Sequence, residues 1–282
     1  MHRVVITDRL WNRILALRKG VPVSPAENEE AAFRLYRPVA AAEGPFVLAQ
    51  VGQSLDGRVA TPKGDARDIS GPDGICHLHR CRALVDAVLV GIGTVKADDP
   101  RLSVRAVSGP SPARVIVDPR AELSGEERIF RESATPLIVF RTAEARRTRL
   151  DGSEVVHLPR RANGIDPRDM RDALAARGLE RLLVEGGGRT IARFIDAGLV
   201  DRLHVAVAPL IIGSGPTGIS LPPIDRLDAA RRPLTEVYAL GSDIVFDCDL
   251  RACRVSGRKG QEITVADEAP GAGTADVGLA KP

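Results

Sequence analysis

Three short segments hold the carboxylates, arginines and glycines from which a site can be built. In Leu182-Leu-Val-Glu185-Gly-Gly-Gly188-Arg189-Thr190-Ile191 a strand-like run ends on an acid, three glycines follow and a helix-like run begins. Consecutive glycines let successive backbone N–H groups turn into one concavity at a helix start, which suits a pyrophosphate. A plain tight turn would use the same glycines, and both readings stand at this point. Arg189, beside the turn, would suit a further phosphate. In Val90-Gly91-Ile-Gly93-Thr94-Val-Lys96-Ala-Asp98-Asp99-Pro100-Arg101-Leu102-Ser-Val-Arg105 paired carboxylates stand between a strand and an arginine. That places acid and base after a strand's carboxyl end, where open α/β sheets bind ligands. Only two glycines of a G-x-G-x-x-G fingerprint are present, Lys96 taking the third place, so a two-half dinucleotide fold is not supported. In Gln50-Val-Gly52-Gln-Ser-Leu-Asp56-Gly57-Arg58 the glycine inside a strand admits close approach of a ligand or another backbone, or marks a tolerated bulge.

A fourth segment, Ser70-Gly-Pro-Asp to Val85, has the spacing of a helix capped by Ser70, with Ile75, Leu78, Cys81 and Val85 on its apolar side. Arg82 stands near the edge of that side, where its planar fork could hold a phosphate or simply be solvated. The cluster Cys76-His77-Leu-His79-Arg-Cys81 contains zinc-type ligands. On a helix His77 and His79 are about 200° apart, although His77 and Cys81 make an acceptable i,i+4 pair. Packing and surface roles account for the cluster, and no metal is expected.

The positioning elements follow from periodicity. Residues 8 to 19 place Leu10, Trp11, Ile14, Leu15 and Leu17 at helical spacing behind Asp8 as a cap, and Gly20 with Pro22 ends the helix. Ser24-Pro-Ala-Glu27 has the form of a capping box for a second helix whose face is Ala32, Phe33 and Tyr36. Residues 1–44 are therefore expected to form a helical arm. From Phe46 onward, β-rich runs at 46–52, 86–91, 113–118, 136–140, 154–158, 180–185 and 202–208 alternate with helical ones, the pattern of an α/β domain with a largely parallel sheet. Runs at 234–240 and 243–250, separated by Gly241-Ser242, form an expected antiparallel hairpin that closes a domain of residues 45–253. Residues 254–282 are polar, Gly/Ala-rich and aperiodic, an expected flexible tail.

Composition narrows the function. Forty basic against 37 acidic residues leave a net charge of +3, so no global field draws nucleic acid or anionic lipid. Aromatic residues make up only 3%, too few for the stacking platforms of single-strand binders. The four cysteines form no C-x-x-C pair, and the apolar run at Val4-Val-Ile6 is too short for a signal-peptide core. The expectation is a cytoplasmic protein with a small-molecule ligand and neither a nucleic-acid nor a membrane partner.

Taken in order, SLDGRVAT, ISGPDGICHLHRCRALVDAVLVGIGTVKADDPRLSVR and LLVEGGGRTIARFIDAGLVDRLHVAVAPLIIGSG closely resemble the reductase family of riboflavin biosynthesis, from about residue 46 to 250. The resemblance implies a three-layer fold like that of dihydrofolate reductase, NADPH as cofactor, a homodimer, and reduction of the ribosyl group of a pyrimidine ribosylamine 5′-phosphate to ribityl. It implies that Gly52, Thr94, Asp98, Gly187, Gly188, Arg189 and Thr190 contact the cofactor. Substrate contacts would come from Arg82, Leu102, Arg105 and Glu185, with both arginines near the 5′-phosphate. Asp98 or Glu185 would polarise the ribose or relay a proton.

Two positions depart from the family pattern. Gln50 stands where fused bacterial enzymes carry lysine, as an uncharged amide does in the stand-alone archaeal type, and Ala66 replaces a substrate-contacting serine. Residues 1–44 contain no cysteine and cannot supply the zinc set of the deaminase found in the fused enzymes. A reductase of a pterin or flavin-like pathway, and a non-catalytic nucleotide-binding protein, are the alternatives on the same scaffold.

Overall fold

The runs at 46–52, 86–91, 113–118 and 181–185 each contain three or more consecutive apolar residues, which calls for burial on both faces and hence a central sheet between two layers of helix. The computed structural model, which describes residues 1–131, 134–251 and 253, has that form; the expected tail at 254–282 lies outside the described residues. In chain order the elements are β1 (His2–Arg3), α1 (Asp8–Arg18), α2 (Glu30–Ala40), β2 (Phe46–Ser54), α3 (Pro72–Leu84), β3 (Ala87–Gly91), α4 (Ile92–Asp98), β4 (Ala113–Val117) and β5 (Leu137–Thr142). They continue with β6 (Glu154–Leu158), β7 (Arg160–Arg161), β8 (Gly164–Ile165), α5 (Pro167–Ala175), β9 (Arg181–Glu185), α6 (Gly188–Asp196), β10 (Arg202–Ala208), β11 (Leu234–Leu240) and β12 (Asp243–Asp249).

Among the described residues the main sheet has ten strands in the order β1-β11-β12-β10-β2-β9-β3-β4-β5-β6. From β10 to β6 every pairing is parallel, while β12 is antiparallel to both β10 and β11. The β11–β12 hairpin turns at Gly241, whose φ of +60° is in the left-handed region that glycine enters without strain. One apolar cluster joins α1, α2 and α3 to one face of the sheet, and the other joins α5 and α6 to the opposite face.

Residues 1–44 lie inside this framework. Leu10, Trp11 and Ile14 of α1 and Phe33, Leu35, Tyr36 and Val39 of α2 are all buried in the first cluster. Full burial of side chains of this size contributes about 1.5–3 kcal/mol each. β1 adds an edge strand by pairing in parallel with β11, and the Trp11 indole donates to the Ser108 carbonyl at 2.7 Å.

Three helix starts differ from the sequence expectation. Thr7, not Asp8, caps α1: its hydroxyl accepts the Leu10 N–H at 3.2 Å, and Asp8 becomes the first helical residue, where its charge favours the positive helix end. The second box is closed by Glu29, whose carboxylate accepts the Ala26 N–H at 2.9 Å, while the Ser24 carbonyl is taken by Arg13. α3 is preceded by Gly71, whose N–H donates to the Asp243 carboxylate at 3.0 and 3.1 Å, so a residue of the distant hairpin replaces Ser70 as cap.

Candidate active site

Residues paired across neighbouring strands lie on one face of the sheet. In one such row Asp247 of β12 stands beside His204 of β10, His204 beside Gln50 of β2, and Gln50 beside Glu185 of β9. All four are buried. A row of polar side chains thus crosses an otherwise apolar face, and α3 covers it. This explains why the inward side of α3 carries His77, Cys81 and Arg82 while Ile75 is 40% exposed, a correction to the apolar side expected from spacing. A helix facing polar groups must supply polar partners, because an unpaired buried polar atom costs more than an apolar contact returns.

Arg82 supplies the strongest of these pairings. Its Nε and Nη2 donate to the two Glu185 carboxylate oxygens, both at 2.7 Å, and Nη1 donates to the Ser103 carbonyl at 3.2 Å. Both side chains are only 7% exposed. Burial pushes the Arg82 pKa down, but the charge and hydrogen bonds of Glu185 outweigh it and the net direction is upward. The expected substrate contacts Arg82 and Glu185 are therefore joined as a fork-to-fork ion pair at the carboxyl end of β9.

The three glycines after Glu185 make the turn into α6. Gly186 and Gly187 have φ of +59° and +51°, and a Cβ on either would lie 3.1 Å from the Thr94 hydroxyl. Gly187 caps α6 with no side-chain hydrogen bond of its own. A Cβ on Gly188 would meet the Thr217 and Gly218 carbonyl oxygens at 2.7 and 2.9 Å, and one on Gly91 would meet the Thr190 hydroxyl at 2.7 Å. The turns after β3 and β9 are thus interlocked, with Thr94, Gly187, Gly188 and Thr190 brought together at the sheet's carboxyl edge. Gly52 is packed beside the Ser70 hydroxyl, 3.0 Å from where its Cβ would be.

The segment after β3 is the short helix α4, which begins directly after Gly91. Asp98 closes its last turn; solvent reaches the residue, yet desolvation by the surrounding protein raises its carboxyl above the ordinary aspartate range. Asp99 and Leu102 then adopt φ of +41° and +61°, an unfavourable region for side chains with a Cβ. Leu102 is buried, and Arg105 beyond it is exposed. The Arg105 N–H donates to His79 Nδ1 at 3.1 Å, which requires a neutral acceptor; burial, with Arg82 and Arg105 nearby, lowers the His79 pKa to about 4.

Sequence reasoning missed several supports of this site. Asp56 accepts the backbone N–H groups of Ile212 and Gly213 at 3.1 and 2.7 Å, binding the loop after β10 to the turn after β2. Ser103, Thr217 and Gly218 act through carbonyl groups, which no residue type announces. Only the pattern Asp56-Gly57 carried a signal, and it indicated a turn rather than a clamp.

The RibD C-terminal domain family matches residues 45–246. A 2,5-diamino-6-ribosylamino-4(3H)-pyrimidinone 5′-phosphate reductase from Methanothermobacter thermautotrophicus is 35% identical over 216 residues, covering 72% of this chain and 97% of that protein. The riboflavin biosynthesis protein RibD of Aquifex aeolicus is 33% identical over 177 residues, 61% of this chain and 49% of that protein. The crystal structure of a Thermotoga maritima diaminohydroxyphosphoribosylaminopyrimidine deaminase/5-amino-6-(5-phosphoribosylamino)uracil reductase superposes with a TM-score of 0.63 at 26% identity, over 77% of this chain and 59% of that one. The chain therefore spans about half the length of the Aquifex protein but nearly all of the archaeal one. With the match extending from the start of β2 into β12, the chain belongs to the RibD C-terminal domain family, the pyrimidine reductases of riboflavin biosynthesis.

Proposed function

We propose that this chain reduces a pyrimidine ribosylamine 5′-phosphate to its ribityl counterpart with NADPH, and that the 2,5-diamino compound is its substrate. The observation that carries the reading is the Arg82–Glu185 pair beside a glycine turn at the carboxyl edge of β9, in a chain that spans nearly all of an archaeal 2,5-diamino reductase. The turn suits a dinucleotide. Gly187 and Gly188 leave α6 without a side-chain cap, and both are held where a Cβ would intrude on neighbouring atoms. Gly52, Thr94, Asp98, Gly187, Gly188, Arg189 and Thr190 would hold NADPH, with Arg189 favouring a 2′-phosphate. When bound, the cofactor supplies hydride.

The remaining roles belong to the chain's own residues. Leu102, buried and held at a φ of +61°, shapes the loop between Asp98 and Arg105 on the substrate side. Arg105 draws in the 5′-phosphate, and Arg82 adds its positive charge there while holding the Glu185 carboxylate in one orientation. The Asp98 carboxyl relays protons: it donates one to the ribose ring oxygen as the C1′–O bond opens, takes one from the amine as the C1′=N imine forms, and returns it to that nitrogen when C1′ is reduced. Glu185 hydrogen-bonds the substrate amino or hydroxyl groups. The enzyme acts as a cytoplasmic homodimer.

The test is absorbance at the nicotinamide band while purified protein meets NADPH with the 2,5-diamino substrate or its deaminated uracil counterpart. Faster oxidation with the diamino compound is the expected result. Oxidation with the uracil compound alone would reverse the substrate assignment, and NADPH binding without turnover of either would leave a nucleotide-binding protein. Sedimentation at micromolar concentration checks the dimer.

A further inference from the structure

His77 and Cys81 share the inward face of α3, as their i,i+4 spacing requires, and the fold adds a third zinc-type ligand from a residue 123 positions beyond Cys81. His204 of β10 lies in the polar row of the sheet directly beneath them. Cys81 Sγ is 3.7 Å from His77 Nε2 and 3.8 Å from His204 Nδ1, and all three atoms lie within 4.8 Å of one another. In a tetrahedral zinc site with Zn–S of about 2.3 Å and Zn–N of about 2.0–2.1 Å, the sulfur-to-nitrogen edge is about 3.6 Å. The two observed edges fall within about 0.2 Å of that value, and without a metal the thiol would supply only weak hydrogen bonds there.

The ring nitrogens that point away are also held as a metal site needs. His77 Nδ1 is 2.9 Å from the Tyr36 hydroxyl, and His204 Nε2 is 3.3 Å from Asp247 Oδ1. Histidines that bind metal generally donate their other N–H to an oxygen of this kind, which fixes tautomer and ring orientation. A dication with one thiolate leaves a single positive charge, and the nearest carboxylate behind His204, that of Asp247, is shared with Arg202.

We propose that His77, Cys81 and His204 bind one zinc ion, with the fourth tetrahedral position taken by a water molecule. The ion ties α3 to β10 at the residue before Arg82, and so helps to seat the Arg82–Glu185 pair. Nothing in this assignment depends on the substrate proposed above.

The test uses the full chain. Zinc is measured by elemental mass spectrometry after dialysis, and the stripped protein is then titrated with Co2+ while visible absorption is recorded. About one zinc per chain, and a thiolate-to-cobalt charge-transfer band with the intense ligand-field bands of tetrahedral Co2+, are expected. A variant with Cys81 as its remaining thiol (Cys76→Ser, Cys248→Ser, Cys253→Ser) keeps those bands, and Cys81→Ser loses the charge-transfer band with a fall in affinity of about tenfold or more. Wild-type protein that is folded by circular dichroism but retains no zinc and gives only the pale octahedral Co2+ spectrum overturns the proposal. Bands that vanish in the triple variant overturn it equally. Should Cys81→Ser fail to fold, the wild-type and triple-variant spectra decide alone.

Discussion

Arg82 and Glu185 show what burial does to a charged pair. Each is expensive to bury alone, and together they are held by two short hydrogen bonds and a third to Ser103. Arg82→Met should strand the carboxylate and lower unfolding stability by about 3–5 kcal/mol in a denaturant titration. Adding Glu185→Leu should restore most of that stability without restoring activity. A destabilisation that stays unchanged in the double variant would show that Arg82 acts through packing rather than through the pair. The glycine turn has a different vulnerability, because the atoms facing Gly188 are backbone carbonyls that cannot swing aside. Gly188→Ala should raise the NADPH dissociation constant about tenfold, or about 1.4 kcal/mol, in a fluorescence titration, and an unchanged constant would remove this turn from the cofactor site. Both glycines and charges were visible in the sequence as residue types. Their partners were not, since Glu185 is 103 residues from Arg82.

At the scale of elements, Asp56 is the clamp between the turn after β2 and the loop after β10. The Ser54 hydroxyl, with the backbone N–H groups of Ile212 and Gly213, holds its pKa at about 2, below the ordinary aspartate value. A carboxyl whose pKa is depressed by folding adds stability above its unfolded value near 4, and that stability disappears as pH falls through the folded value. Wild type should therefore melt above Asp56→Asn at pH 6, with the gap closing between pH 4 and 2. A gap independent of pH would show that shape rather than charge is the cause. For α2, Leu35→Ala removes a fully buried side chain from the first cluster and should cost about 2–5 kcal/mol in the same kind of unfolding experiment. A loss under about 1 kcal/mol would mean that residues 1–44 contribute little to the core.

For the whole molecule, the sheet order determines what can meet. Strands β2, β9 and β3 are neighbours although they are separated in sequence by α3 to α5, and their carboxyl ends bring Gly52, Glu185 and Gly91 to one edge. Strand positions, the α/β alternation and the closing hairpin were legible from the sequence, because apolar runs bounded by turn residues depend on local steric preference and solvent aversion alone. The Gly-rich turn after β9 and the acidic segment after β3 were legible for the same reason. What only the tertiary structure decided was register. It set His204, Gln50 and Glu185 in one row, turned the face of α3 inward on His77, Cys81 and Arg82, and brought Asp243 to cap that helix. Those choices depend on which strands pair and at what offset, and that is settled by the packing of the whole chain, on which no single segment carries information.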